Sequence, residues 1–296
     1  MKDVIYEQLT KRCFAAEVEK DLAEEGRGYG LFAKSAFGAG DVIFEEYPVG
    51  VTAVAYFSKA NTCCSNCIKP IPDHRSAIHC TSGCHEIYCS VNCREHAYNL
   101  YHSVLCVEAN SLYADYYDTA KASENEYYIV AARLLLMFPN APWLFHYCSP
   151  RWSELDHTSS PEDLEEETGR MASILNDILA NTHSRDEIYP EALSRTIGML
   201  RVNVLSLRYG DDGLGFALYS TQSLMNHSAH PNCQCVAISC DQNPDNPSLC
   251  AVEALKAVEP GDELTINYLS GTIGPERGRI LLQQYGIVEA DTDMTA

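Results

Sequence analysis

Basic residues are scarce in this chain of 296 residues: 21 lysines and arginines stand against 41 aspartates and glutamates, a formal net charge of -20. No basic stripe exists to displace counterions from a phosphate backbone, which argues against a direct nucleic-acid partner. An acidic surface suits a basic partner instead, such as a lysine-containing protein segment. Long apolar runs are missing too. The most apolar stretch, Ile129 to Phe138, is interrupted by Arg133 and is too short to span a bilayer, so no membrane partner is expected. Residues 1 to 12 alternate charge and apolarity without the unbroken apolar core of a signal peptide. A soluble chain of the cytoplasm, the nucleus or both is therefore expected, and as a monomer. Its length allows one large or two modest domains.

What the chain has in plenty is cysteine, fourteen in all. In a leaderless chain, paired spacing points to metal ligation rather than disulfides. Cys64-x2-Cys67, Cys80-x3-Cys84, Cys89-x3-Cys93 and His102-x3-Cys106 supply seven thiolates and one imidazole, enough for two tetrahedral zinc sites. This segment is poor in apolar volume, so structural zinc would supply much of its folding free energy. Cys63, His79, His85 and His96 are expected to be non-ligands. Alternation along a strand puts Cys233 and Cys235 on one face. With Cys240 and Cys250 they are expected to be free thiols rather than a further metal site.

The rest of the chain divides by its periodicities. Cys13 to Val18, Val42 to Glu45 and Val49 to Tyr56 alternate like strands, separated by glycine-containing turns. From 107 to about 205 the pattern is helical. Asn125 to Met137 ends before Pro139 and Pro142, Ser160-Pro161-Glu162-Asp163 opens a second helix, and a third starts near Pro190. Leu214 to Leu224 predicts a strand running into Asn226 and His227. Gln234 to Ser239, Leu249 to Ala254 and Leu264 to Leu269 predict further strands, and Gly278 to Tyr285 a short helix.

Three blocks stand out. Gly28-Tyr29-Gly30-Leu31-Phe32-Ala33 is by itself only a tight turn, although glycine also lets a backbone approach a ligand closely. Ser223-Leu224-Met225-Asn226-His227-Ser228-Ala229-His230-Pro231-Asn232-Cys233 carries polar groups behind an apolar run, equally suited to a pocket or to a buried Asn-His pair satisfied at a turn. Pro260-Gly261-Asp262-Glu263-Leu264-Thr265-Ile266-Asn267-Tyr268 turns the chain into a strand.

In this order, with the cysteine and histidine cluster between the first block and the others, the chain resembles the SET and MYND (SMYD) family of protein-lysine methyltransferases. The resemblance implies an α+β chain: a SET-domain β-fold with a knot-like C-terminal crossing, an inserted MYND finger holding two zinc ions and a helical insert. It places the N-terminal part of the SET domain at 1–58, the finger at 59–107, the helical insert at 108–200, the C-terminal part of the SET domain at 201–290 and an acidic tail at 291–296. Zinc ligands would interleave, with Cys64, Cys67, Cys89 and Cys93 on one ion and Cys80, Cys84, His102 and Cys106 on the other. The second pair has a three-residue spacer where the family usually has two.

S-adenosyl-L-methionine would be cradled by Gly28, Tyr29, Gly30, Leu31, Asn203, Asn226, His227, Tyr268 and Ile287. Tyr268 would be the catalytic tyrosine, and Tyr285 would line the lysine channel. Ile287 stands where the family often has phenylalanine. Many relatives carry a third zinc after Asn-His-Ser; here position 229 is alanine and no cysteine follows Cys250, so a pocket closed without that ion is expected, as is the absence of the C-terminal helical repeats of larger relatives. The implied activity is methylation of lysine side chains on a histone or another basic protein, with a proline-rich partner at the finger. The alternative is an interaction adaptor or transcriptional cofactor whose SET core is inactive.

Overall fold

Short alternating segments punctuated by glycine and proline give short strands, and this chain folds into several small sheets rather than one large one. The computed structural model describes residues 16–20, 29–48, 54–137, 161–180, 190–209, 212–237, 248–269, 275–285 and 287–288. Twelve strands are present among them: β1 (Ala16–Lys20), β2 (Tyr29–Ala33), β3 (Val42–Glu46), β4 (Val54–Ala55), β5 (Ile78–His79), β6 (Ile87–Tyr88), β7 (Val204–Tyr209), β8 (Asp212–Leu218), β9 (Asn226–His227), β10 (Cys233–Ala237), β11 (Cys250–Ala254) and β12 (Glu263–Ile266). They form a four-stranded sheet β1-β2-β12-β9, two three-stranded sheets β10-β11-β3 and β4-β8-β7, and the hairpin β5-β6.

One sheet brings the three sequence blocks together. β12 runs antiparallel to β2, with Leu264 opposite Leu31, and parallel to β9, with Thr265 opposite Asn226 and Ile266 opposite His227. Leu31, Leu224, Met225, Leu264 and Ile266 are buried in its core, with Tyr268 packed against them.

The helices are α1 (Val91–Ala97), α2 (Ser111–Ala122), α3 (Tyr127–Met137), α4 (Pro161–Ala180), α5 (Pro190–Asn203) and α6 (Pro275–Ile280). Ser90 caps α1 by accepting from the Cys93 N–H at 3.1 Å, and Asn110 caps α2 by accepting from Leu112 and Tyr113. Residues Tyr128 to Leu135 of α3 are all buried, as befits a helix apolar around its whole girth. The cysteine-rich segment packs against the helical layer. Cys64, Ile87, Tyr88, Tyr101 and Leu105 belong to the same buried cluster as residues of α2 to α5.

Three expectations need correction, the first being the strand predicted from Leu264 to Leu269, which ends at Ile266 and leaves Tyr268 in the turn that follows. The strand predicted from Leu214 to Leu224 ends at Leu218; a turn and a single 3-10 turn, Gln222–Leu224, intervene before β9. The reason lies elsewhere in the chain: the Glu46 carboxylate accepts from the N–H groups of Thr221 and Gln222, satisfying that turn as no strand neighbour could. The last helix starts at Pro275 rather than Gly278, because proline suits a first helical position, and it passes into a wider turn over Leu281–Tyr285. Residues 13–15 and 49–53, which carry part of two predicted strands, lie outside the described residues.

Candidate functional site

Gly30 is the second residue of β2 and lies beside Asn226 and Glu263. A side chain there would place its Cβ 2.6 Å from Glu263 Oε1 and 3.1 Å from Asn226 Nδ2, so anything larger than hydrogen at position 30 must displace the Glu263 carboxylate. Glu263 Oε1 accepts from the Asn226 amide at 2.7 Å, which fixes the direction of that side chain. Asn232 locks the turn below: it donates to the Glu263 carbonyl at 2.8 Å and accepts from the Thr265 N–H at 2.8 Å.

Tyr268 stands just past the end of β12. Its N–H donates to His227 Nδ1 at 3.2 Å, and its hydroxyl donates to the Met225 carbonyl at 2.8 Å. Both bonds reach across the parallel β9-β12 pair, so the tyrosine is held against the Asn-His strand at two points. The Tyr285 ring is 4.8 Å from that of Tyr268, centroid to centroid. Burial raises the Tyr285 hydroxyl above its ordinary pKa. Arg277 of α6 donates to Asn267 Oδ1 and to the Leu269 carbonyl, both at 3.1 Å, and approaches His227 Nε2 at 3.4 Å. The result is a half-buried cluster of polar groups, Asn226 and His227, beside two aromatic rings, a chemistry suited to a cation or an amine.

Of the expected cofactor residues, Gly30, Asn226, His227 and Tyr268 come together. Leu31 is fully buried in the sheet core. The Asn203 amide donates to the Met199 carbonyl of its own helix at 2.9 Å. Ile287 is half-buried, its N–H donating to the Leu281 carbonyl at 3.1 Å. Gly28 lies outside the described residues, and Tyr29 is described for its backbone alone. Glu263, Asn232 and Arg277 were not singled out in the sequence; the first two sat inside the quoted blocks, whereas nothing marked Arg277.

The second centre is metallic in its donor chemistry. Cys64, Cys67, Cys89 and Cys93 bring their ligand atoms within 4.8 Å of one another, as do Cys80, Cys84, His102 and Cys106. Sulfurs on a tetrahedral zinc with Zn–S bonds of about 2.3 Å lie about 3.8 Å apart. Here Cys67 and Cys89 are 3.7 Å apart, Cys89 and Cys93 3.6 Å, and Cys80 and Cys106 3.9 Å. Both donor sets fit zinc.

The three-residue spacer is absorbed at Gly83, whose φ of +83° turns the chain between Cys80 and Cys84. Although burial opposes it, His102 and the N–H groups of Ser82 and Cys84 lower the Cys80 thiol to about 6, favouring the ligating thiolate. Beside His102, burial works against the Glu86 carboxylate, yet His102, Arg133 and Tyr88 together hold it below the usual carboxyl range. Cys233, Cys235 and Cys250 are free thiols, and no third ligand set occurs among the described residues; Cys240 is not among them.

Fold and sites together define an α+β protein in which a glycine-backed strand, an Asn-His strand and a tyrosine share one sheet beside two metal-ligand sets. The SET domain sequence model matches residues 28–269, and the chain belongs to the SET domain family. It is 24% identical over 271 residues to the histone-lysine N-methyltransferase SMYD1 of Homo sapiens, covering 88% of this chain and 52% of that protein. It is 26% identical over 285 residues to the histone-lysine N-methyltransferase ATXR4 of Arabidopsis thaliana, covering 89% and 82%. To the N-lysine methyltransferase SMYD2 of Gallus gallus it is 24% identical, covering 84% and 53%. The chain thus spans about half the length of the two SMYD proteins. Among solved structures, Rubisco LSMT bound to AdoMet superposes with a TM-score of 0.46 at 12% identity, covering 98% of this chain and 57% of that one.

Proposed function

We propose that this protein is an S-adenosyl-L-methionine-dependent methyltransferase that modifies lysine side chains of proteins. The observation that carries the proposal is the convergence of Gly30, Asn226, His227 and Tyr268, from segments remote in sequence, at the β2-β12-β9 sheet. Names of relatives covering most of this chain point the same way.

S-adenosylmethionine, when bound, supplies a methyl group on a sulfonium that is already a good leaving group. The residues of the chain then have to position and dehydrate. Gly28 to Leu31 would hold the cofactor along their backbone, with Asn203, Asn226, His227 and Ile287 completing the cradle. Tyr268, anchored on the Met225 carbonyl, would orient the incoming amine and stabilise developing positive charge with its ring. Tyr285 would narrow the channel. A free lysine has a pKa of about 10.4, and desolvation between these rings favours the neutral amine that can react.

The substrate segment is basic and lysine-containing, as the chain's net charge of -20 recommends. The two ligand sets hold two structural zinc ions in a MYND-type finger at 59–107, inserted into a SET fold made of 1–58 and 201–290 with the helical insert at 108–200 between. The finger would accept a proline-rich partner. A knot-like crossing of the C-terminal segment is part of the same proposal; residues 275–285 pack back against Tyr268 and His227.

The test is transfer of tritiated methyl from S-adenosylmethionine to basic proteins of a cell extract, with Tyr268→Phe beside the wild type. Transfer by the wild type and a sharp loss in the variant are expected. Cofactor binding without transfer by either would overturn the enzyme in favour of a finger-based adaptor. Mass spectrometry of the labelled protein would name the lysine.

A further inference from the structure

Glu86, His102 and Arg133 are the buried charged or ionisable side chains among the described residues that belong to Asp, Glu, Lys, Arg or His, and all three meet at one place. Arg133 is the oddity. It lies in α3 among Ile129, Val130, Ala131, Ala132 and Leu134, all buried, where an apolar residue of similar volume would pack without taking a charge out of water. Replacing a buried ion pair by apolar groups is often neutral or stabilising, so packing of α3 does not explain this arginine.

Its contacts do. Arg133 Nη2 is 3.5 Å from Glu86 Oε1, its Nη1 donates to the Ser65 carbonyl at 3.4 Å, and its guanidinium lies 4.2 Å above the Tyr101 ring. Glu86 Oε2 is 3.1 Å from His102 Nδ1 and accepts from the Tyr88 hydroxyl at 2.7 Å. The other ring nitrogen, Nε2, is the one that faces Cys80 and Cys84, at 3.2 and 3.5 Å. Ser65 sits inside the Cys64-x2-Cys67 knuckle of the other ligand set, and its carbonyl also accepts from the Tyr101 hydroxyl at 3.0 Å. One cation from a helix outside the cysteine-rich segment therefore touches a neighbour of each ligand set.

We infer that Glu86 and Arg133 are positioning residues that couple the two zinc sites to each other and to α3. Glu86 stands against Nδ1 while Nε2 faces Cys80 and Cys84, so the carboxylate orients the ring with Nε2 toward the metal site. Arg133 holds Glu86 in that position and at the same time fixes the knuckle that presents Cys64 and Cys67. Lysine cannot replace it, because only the planar fork of a guanidinium offers donors in two directions while its face lies on an aromatic ring. Loss of Glu86 should therefore loosen the His102 site, and loss of Arg133 should loosen both.

This inference rests on the reading that both ligand sets hold zinc, so the experiment begins by counting zinc in the purified wild-type chain. Arg133→Met, Arg133→Lys and Glu86→Gln are then compared with it for the rate at which zinc passes to a chromogenic chelator. Cobalt substitution assigns each phase, since a four-sulfur site and a three-sulfur, one-nitrogen site absorb differently. Glu86→Gln should speed release from the His102 site by about 10–100-fold, the usual cost of removing a partner of a metal-bound histidine, and leave the four-cysteine site near wild type. Arg133→Met should speed both phases, and Arg133→Lys should fail to restore them.

Two zinc ions in the wild type with unchanged release in Glu86→Gln and Arg133→Lys would overturn the coupling alone. Equal acceleration of both phases by Glu86→Gln would overturn it as well, since that is general loosening. Fewer than two zinc ions in the wild type would overturn the zinc reading and the coupling with it. Should Arg133→Met not fold, the other two variants carry the decision.

Discussion

Glu263 occupies the space that any side chain on Gly30 would need: the Cβ would fall 2.6 Å from its Oε1, the oxygen that holds the Asn226 amide at 2.7 Å. In Gly30→Ala the flexible carboxylate can swing away only by releasing Asn226. A charge-assisted hydrogen bond is worth about 1.5–3 kcal/mol, so affinity for S-adenosylmethionine should fall by about tenfold or more. Because Glu263→Ala removes the same bond, the double variant should lose less than the sum of the single losses. Calorimetric titration of the three variants checks this, and unchanged affinity in Gly30→Ala would sink it.

Tyr268→Phe keeps the ring against Tyr285 and deletes one donor to the Met225 carbonyl. The expected loss of stability is small, about 1 kcal/mol. Methyl transfer should fall by about 100-fold or more, as when one preorganised donor is removed from a reacting centre. The informative comparison is the turnover rate against cofactor affinity, which should be nearly unchanged. A parallel fall in both would mean that the tyrosine merely holds the pocket together.

Much of this was legible in the chain because its signals were local. The paired spacings from Cys64 to Cys106 mark the eight ligands, the family resemblance gives the interleaving in which they group, and Pro161 and Pro190 stand at the first positions of α4 and α5. What could not be read depends on partners distant in sequence. Glu46 breaks the strand before Asn226 from about 175 residues away, a separation at which no window of periodicity operates. Arg133 did show itself, as the one interruption of the most apolar stretch, but its purpose lies in Glu86 and Ser65.

Stripping zinc should disturb more than the cysteine-rich segment. Its apolar residues share one buried cluster with α2 to α5, so a chelator ought to open the helical layer too. Hydrogen exchange should show amides of α2 and α3 losing protection along with β5 and β6, with a lowered melting temperature. If α3 stays as protected as in the metal-loaded protein, the two layers are independent and the expectation is wrong.

Gly215 tests the packing of β4 on β8. A Cβ there would lie 1.9 Å from the Val54 carbonyl oxygen and 2.7 Å from the Ala55 Cα, both main-chain atoms that cannot rotate aside. Gly215→Ala must push the strands apart, and overpacking of this kind costs about 1–3 kcal/mol or more. Urea denaturation should show a midpoint shifted down at unchanged slope. A wild-type midpoint would mean that β4 does not pair there in solution.

Glu46 should give a pH dependence of unusual sign. Its carboxylate accepts from Thr221 N at 3.1 and 3.0 Å and from Gln222 N at 3.0 Å, steadying the turn that leads to Asn226. Burial nevertheless outweighs these bonds and raises its pKa above the ordinary 4.5. The folded state then binds this proton more tightly than the unfolded state does, so stability from Glu46 is full below pH 4.5 and declines as pH rises through the folded value. A carboxylate in a salt bridge does the reverse. Glu46→Gln cannot titrate, and against it the wild type should lose melting temperature as pH climbs through that window, then run parallel above it. A difference moving in favour of the wild type with rising pH would mean that the three N–H bonds win over burial, and that the turn before Asn226 is held by a charge rather than by a shared proton.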